Sequence, residues 1–418
     1  MLTQNLLTDE HKQSPTDDTP LAVTCEDQVE LATQAYNQNF RLLWMMPNNL
    51  SVEMGWMHRL MSCMRPEIWR VVTNYSTEPR WSESVRVLDL QTEPLGARLK
   101  RVVSMENRPE FPGARRAVAC AQLKECTHVV IHFVDFAIKL LPFLNKVKRP
   151  IAVFCHGVDV TWAMKNYDVV GSPYHPPNYR EQVISLGKKV TFLANSEATQ
   201  GKLEEIGIRS EQIRRFRFGI DEHTGKRPAR ATEEAISLLY VGRLVDFKGP
   251  DLTIRAFAKL VREVPNTRLW IAGDGPMAVA CRLLVAELGL TDKVTFLGSV
   301  GQETVRKLMS KADVFTLGSC EGSLTGQEEA FGVAILEAMA NGLPVVCGRS
   351  GGIPEFVHDG NCGLLFHPGS VDAHADALIQ LCKDPSLRHQ YGKAAKMKVK
   401  TQFSVERMRQ SILAALST

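Results

Sequence analysis

The chemistry available to this chain begins with two carboxylates and two cations. Glu329 and Glu337 stand eight residues apart in Glu329-Ala-Phe-Gly-Val-Ala-Ile-Leu-Glu337. Unbroken helix would hold them ~12 Å apart at 1.5 Å per residue. Two carboxylates working as an acid/base pair on one bond sit roughly 5–9.5 Å apart. These two are therefore expected to do different jobs. Gly332 followed by Ala334, Leu336, Glu337, Ala338, Met339 and Ala340 predicts a helix beginning near Phe331, with Glu329 in the loop ahead of it and Glu337 in its second turn. The start of such a helix is an anion site, because its free amides and its dipole both favour negative charge. A surface helix carrying ordinary glutamates is the alternative for this spacing taken alone.

Upstream, residues 238–241 (Leu-Leu-Tyr-Val) read as a short buried strand that runs into Gly242-Arg243-Leu-Val-Asp-Phe-Lys248-Gly249. An Arg grips phosphate oxygens bidentately and a Lys adds a point charge, so one glycine-bounded loop carrying both can neutralise a diphosphate. Plain surface charge is the competing reading of Arg243 and Lys248 by themselves. The order of the parts is what is specific: a strand, then Arg243 and Lys248, then Glu329 and Glu337.

These groups need a framework to hold them. At 418 residues, 44% hydrophobic and 23% charged, the chain is long enough for two globular domains. A net charge of +4, with no aromatic and basic recognition module, argues against nucleic acid as a partner. The ten cysteines are scattered without a Cys-x-x-Cys pair and read as reduced core thiols, which points to a cytoplasmic setting. Residues 1–34 are polar and acidic and read as mostly disordered. The longest apolar region, 128–147, is interrupted by His132, Asp135, Lys139 and Pro142, so no transmembrane helix is expected.

Residues 225–234 are charged, lack periodicity and form the best linker, which sets domains at 35–228 and 229–399 with a final helix, 400–418, able to pack back on the first domain. From 238 onward strand and helix patterns alternate; in the first half strands are expected at 41–46, 69–73, 128–133, 150–154 and 189–194. The fold class is therefore α/β: two Rossmann-like domains facing a cleft, each a parallel sheet covered by helices.

Between about 238 and 368 the residues resemble the retaining GT-B glycosyltransferases of family 4 (glycosyl transferases group 1), in the bacterial polysaccharide-type branch. The resemblance rests on Val-Gly-Arg-Leu…Lys-Gly, Ala-Gly-Asp-Gly-Pro at 272–276, Val-Thr-Phe-Leu-Gly at 294–298, the 329–337 segment, and Gly-Leu-Pro-Val-Val…Gly-Gly-Ile-Pro-Glu at 342–355. A weaker match covers Phe154-Cys-His156-Gly-Val-Asp159, Asn195-Ser196 and Gly219-Ile-Asp221, and the first 150 residues match only in outline. The resemblance implies a C-terminal domain that binds a nucleoside-diphosphate sugar and an N-terminal domain that binds a glycan or lipid-linked acceptor. By position, Glu329 would contact the transferred sugar, Glu337 would hold ribose hydroxyls, and Arg243 and Lys248 would clamp the diphosphate. Backbone near Phe331, Gly332 and Val333 would line sugar and phosphate, and Val300 would meet the base. His156 would face the donor sugar from the opposite domain, while Asp159 is expected to order its loop.

The reaction so implied moves a sugar to an acceptor hydroxyl with retention, in exopolysaccharide or lipid-linked glycan synthesis. It needs no cofactor and no divalent metal, since Arg243, Lys248 and the helix dipole supply the charge, and no Asp-x-Asp element occurs. One departure is the loop 47–55, where relatives carry a Gly-Gly pair and only Gly55 remains. The aromatic segment 162–179 reads equally as an acceptor lid or a packed loop. Arg98, Lys100, Arg101, Arg108, Arg115 and Arg116 suggest peripheral contact with an anionic inner membrane face, against the alternative of a solvated surface. A dehydrogenase would need a Gly-x-Gly-x-x-Gly turn that Gly273-Asp-Gly275-Pro276 does not continue. A catalytically weakened donor-binding scaffold of the same fold is the remaining alternative.

Overall fold

The computed structural model describes residues 39–47, 55–74, 86–91, 111–161, 175, 178–221, 235–323 and 325–417. The first sheet comprises β1 (Leu42–Met46), β2 (Ile68–Thr73), β3 (Arg86–Asp89), β4 (His128–His132), β5 (Ile151–Cys155), β6 (Thr191–Ala194) and β7 (Ile213–Arg215), in the order β3-β2-β1-β4-β5-β6-β7. The second comprises β8 (Ile236–Val241), β9 (Thr267–Ala272), β10 (Val294–Gly298), β11 (Val314–Leu317), β12 (Val345–Gly348) and β13 (Gly363–Phe366), in the order β10-β9-β8-β11-β12-β13. Every pairing in both is parallel. Parallel strands buried on both faces read as continuous apolar runs; all five residues of β1, Leu-Leu-Trp-Met-Met, are buried.

Helices cover the sheets. Those of the first domain include α1 (Gly55–Cys63), α2 (Ala114–Ala121), α3 (Val134–Leu144), the short α4 (Val158–Thr161), α5 (Tyr179–Gly187) and α6 (Glu197–Ile206). In the second, α7 (Pro250–Glu263) opens on a proline and buries Thr253, Ile254, Ala256, Phe257 and Leu260, a stripe at helical spacing. It is followed by α8 (Ala278–Glu287), α9 (Gln302–Lys311), α10 (Val333–Ala340), α11 (Val371–Lys383) and α12 (Pro385–Gln402). The expected helix start near Phe331 is corrected to Val333. Gly332 takes φ +99 as the N-cap, a left-handed conformation that a helix cannot pass through, so Phe331 stays in the loop.

The chain returns to the first domain through α13 (Val405–Ser417), which contacts α1 and β7. Arg409 of α13 forms an ion pair with Glu67, and Ile220 N donates to Phe403 O at 2.8 Å. The domains also meet where the Glu355 carboxylate accepts from the amides of Glu197 (2.8 Å) and Ala198 (3.2 Å) at the start of α6. Between the sheets Phe218, Phe331, Phe356 and Phe403 pack ring against ring, with centroids 4.9–6.4 Å apart.

No helix among the described residues is long and apolar enough to cross a membrane. The expectations for residues 1–34, the 225–234 linker, loop positions 48–54, and Arg98, Lys100, Arg101 and Arg108 lie outside the described residues, as do 162–174, 176 and 177 of the aromatic segment.

Candidate active site

In an open parallel sheet, ligands bind beyond the carboxyl ends of the strands where the strand order reverses. In the second sheet that point lies between β8 and β11. The loop after β8 supplies Arg243 and Lys248; the loop between β11 and α10 supplies Glu329, and α10 supplies Glu337. All four line one cleft with a cavity volume of about 440 Å³, together with Val300, Phe331, Gly332 and Val333. His156, just beyond β5 of the other domain, lines the same cleft. Every site residue expected from the sequence thus meets at one place.

Their pairing is uneven. Lys248 Nζ makes an ion pair with Glu329 Oε2, and both side chains are largely buried. Glu329 is fixed further by its backbone, whose carbonyl accepts from Gly352 N at 2.9 Å. Arg243 is exposed and forms no ion pair among the described residues, while its carbonyl accepts from the buried Tyr240 hydroxyl at 3.1 Å. The loop thus offers one free cation and one already matched to a carboxylate. The Phe331 side chain is buried in the aromatic seam, which leaves its backbone to face the cleft. At the start of α10 the amides of Val333 and Ala334 precede the first intrahelical bonds, so they are open to an anion.

On the opposite wall, His156 Nε2 lies 3.0 Å from His132 Nδ1, and its ring packs against Trp56 and Phe133 at centroid distances of 4.6 and 4.7 Å. Burial pushes His156 down to about 3 and holds His132 well below the usual imidazole range, so both are neutral. Asp159 is fully enclosed. Its Oδ1 accepts from the amides of His156 and Gly157, both at 2.9 Å, and its Oδ2 from Val134 N at 3.0 Å. This is an ordering role for the His156 loop. Burial raises Asp159 to about 7, opposed by those backbone bonds. Of the aromatic segment, the described His175 and Tyr179 are packed: their rings stack at 3.9 Å and the Tyr179 hydroxyl donates to Asp159 O at 2.7 Å.

Sequence reasoning missed five residues at or beside this cleft: Trp56, Arg59, His132, Phe133 and Gln302. Phe133 has φ +72, the one non-glycine residue with positive φ among those described. That geometry costs of order 1–3 kcal/mol and collects at functional sites; here it accompanies a ring that faces the cleft. An apolar run such as 128–133 carries no sign of it. Arg59 Nη2 and Gln302 Nε2 both donate to Glu337 Oε1, at 2.7 and 2.8 Å. Neither lies in a motif.

Residues 222–398 match the model of the family "Glycosyl transferases group 1". The chain is 35% identical over 266 residues to the N-acetyl-alpha-D-glucosaminyl L-malate synthase of Bacillus anthracis, covering 62% of this chain and 65% of that protein. It is 36% identical over 242 residues to the GDP-mannose-dependent alpha-(1-6)-phosphatidylinositol monomannoside mannosyltransferase of Mycolicibacterium smegmatis, covering 57% and 62%. It thus spans somewhat less than two thirds of the length of these relatives. Among solved structures, that of Anabaena HepE in complex with UDP and glucose superposes with a TM-score of 0.70 at 19% identity, over 90% of this chain and 99% of that one. Sucrose-phosphate synthase from Thermosynechococcus elongatus superposes with a TM-score of 0.69 at 19% identity, over 89% and 97%. With the switch-point cleft lined by the motif residues, the chain has the GT-B fold, and its C-terminal domain is similar to the glycosyl transferases group 1 family.

Proposed function

We propose that this protein is a retaining glycosyltransferase that moves a sugar from a nucleoside diphosphate to an acceptor hydroxyl. The observation that carries the reading is the convergence of Arg243, Lys248, Glu329 and Glu337 on one cleft with His156 of the other domain facing them. The exposed Arg243 guanidinium and the open amides of α10 are matched to a diphosphate, and charge-assisted contacts of this kind favour its departure. Glu329 is paired with Lys248. That pairing weakens Glu329 as a nucleophile and favours a front-face route. In that route the bond from the anomeric carbon to the diphosphate oxygen breaks, the acceptor oxygen bonds to the same face, and its proton passes to a diphosphate oxygen.

Relatives whose names place them in glycolipid and exopolysaccharide synthesis support a glycan or lipid-linked acceptor. Arg115 and Arg116, exposed on α2, are available for contact with an anionic membrane surface. Solved structures of the same fold hold UDP and UDP-glucose, which puts UDP-sugars first among donors to try, with GDP-mannose second.

The test is incubation of the protein with UDP-glucose, UDP-N-acetylglucosamine and GDP-mannose in EDTA, with simple glycosides as acceptors. Nucleotide release and the anomeric proton of the product are followed by NMR. Expected are release from one donor in EDTA and an axial linkage from an axial donor. An equatorial product would overturn retention. Nucleotide binding without transfer or hydrolysis would favour the weakened-scaffold reading, and a requirement for added divalent metal would overturn the electrostatic role given to Arg243 and Lys248.

A further inference from the structure

Glu337 is held from across the cleft. Arg59 lies on α1, a helix of the opposite domain whose first residues, Gly55 and Trp56, line the same cleft. Its Nη2 donates to Glu337 Oε1 at 2.7 Å, with the two side chains 6% and 12% exposed. Gln302 donates to the same oxygen at 2.8 Å. The approach is close: a β-carbon at Gly55 would overlap the Gln302 carboxamide oxygen. Arg59 Nη1 and Nε make no hydrogen bond among the described residues, and Nε forms a second ion pair, at 3.5 Å, with the 59% exposed Asp221. The effect of Arg59 is on Glu337: with Gln302 it supplies two donors to Oε1 of a carboxylate that lines the cleft.

On the reading that Glu337 receives the nucleotide, we infer that Arg59 is a positioning residue for the ribose diol of the donor. It orients Glu337 Oε2 to accept from the vicinal hydroxyls. Because it comes from the acceptor domain, it ties recognition of the diol to closure of the two domains. A purely structural ion pair would hold the domains together without affecting discrimination at the ribose.

The experiment is calorimetric titration of the whole protein with UDP and 2′-deoxy-UDP, and with GDP and 2′-deoxy-GDP, for the wild type, Arg59→Met and Arg59→Lys. The wild type is expected to prefer the ribose form of its nucleotide at least about tenfold, as for a hydrogen bond to a charged group. In Arg59→Met the preference falls below about threefold while affinity for the deoxy form stays within about twofold. Arg59→Lys keeps the charge and the fold but moves the donor atom, and its preference lies between the two. Should Arg59→Met fail to fold, the lysine variant carries the test. An undiminished ribose preference in either folded variant overturns the inference and leaves the donor reading intact. A wild type that binds ribose and deoxyribose forms equally overturns the role of Glu337 on which it rests, and a wild type that binds no nucleoside diphosphate overturns the donor reading itself.

Discussion

His132 Nδ1 and His156 Nε2 stand 3.0 Å apart with their rings nearly parallel, tilted by 10°. One proton lies in this contact when both rings are neutral, and adding another to the pair would put a positive charge inside an apolar wall. Burial holds both below the usual imidazole range, His156 at about 3. The ring signals of His156 are accordingly expected not to titrate between pH 8 and pH 5. Heteronuclear NMR of histidine-labelled protein, assigned with His156→Asn, checks this; a midpoint near 6.5 would show that the wall is wetter than the structure describes.

The ion pair of Lys248 and Glu329 sits in a largely enclosed position, so breaking it from one side strands a charge. Lys248→Met is expected to cost about 3–5 kcal/mol by leaving the Glu329 carboxylate unmatched. The double variant Lys248→Met/Glu329→Gln leaves no charge stranded and should lose less than the sum of the single variants, by about 0.5–3 kcal/mol. Urea unfolding of the four proteins gives the coupling, and strict additivity would mean that the two side chains do not depend on each other.

His374 provides a pH test away from the cleft. It is fully buried on α11, 2.7 Å from the Thr316 hydroxyl and stacked on Phe366 at 4.2 Å, and burial lowers it to about 3. Between the ordinary value of 6.5 and about 3 the unfolded chain binds a proton that the folded chain does not. Stability from this residue therefore falls on acidification, by about 1.4 kcal/mol per pH unit. His132 and His156 act in the same direction, whereas Asp159, raised to about 7, opposes them between its ordinary 3.8 and that value. The informative quantity is thus the difference between wild type and His374→Asn. The variant should lose less stability than the wild type between pH 6 and pH 4; equal losses in urea unfolding at the two pH values would refute the assignment.

Much of the cleft wall formed by the second domain was legible because its residues are local in sequence. The loop 242–249 follows its strand directly, and the spacing of Glu329 and Glu337 places one before a helix and the other in its second turn. What a one-dimensional pattern could not show was contact over long separations. Arg59 reaches Glu337 across 278 positions and His132 reaches His156 across 24. Short edge strands were also lost: β3 and β7, four and three residues long, lack an apolar run of their own. The two-residue error at the start of α10 came from reading Gly332 as a small residue within the helix, where its left-handed φ makes it the residue that begins one.

Asp159 decides whether the His156 loop is held or only tolerated. Its carboxylate satisfies three buried amides, those of His156, Gly157 and Val134, and the last is the first residue of α3, where negative charge is favoured by the helix dipole. An asparagine has one acceptor oxygen in place of two, so Asp159→Asn must turn an N–H donor toward at least one of these amides. The expected loss is about 1–3 kcal/mol of stability, the cost of an unsatisfied buried group. The groups proposed to bind the diphosphate lie in the other domain, so nucleotide affinity is expected to stay within about twofold. Transfer should slow by about ten- to a hundredfold as His156 loses its fixed position. Calorimetry with the nucleotide and steady-state transfer rates separate the two effects. Unchanged turnover in a variant shown to be less stable would mean that the position of His156 does not matter to the reaction, and an equal loss of nucleotide affinity would mean that the loop supports the donor site as a whole.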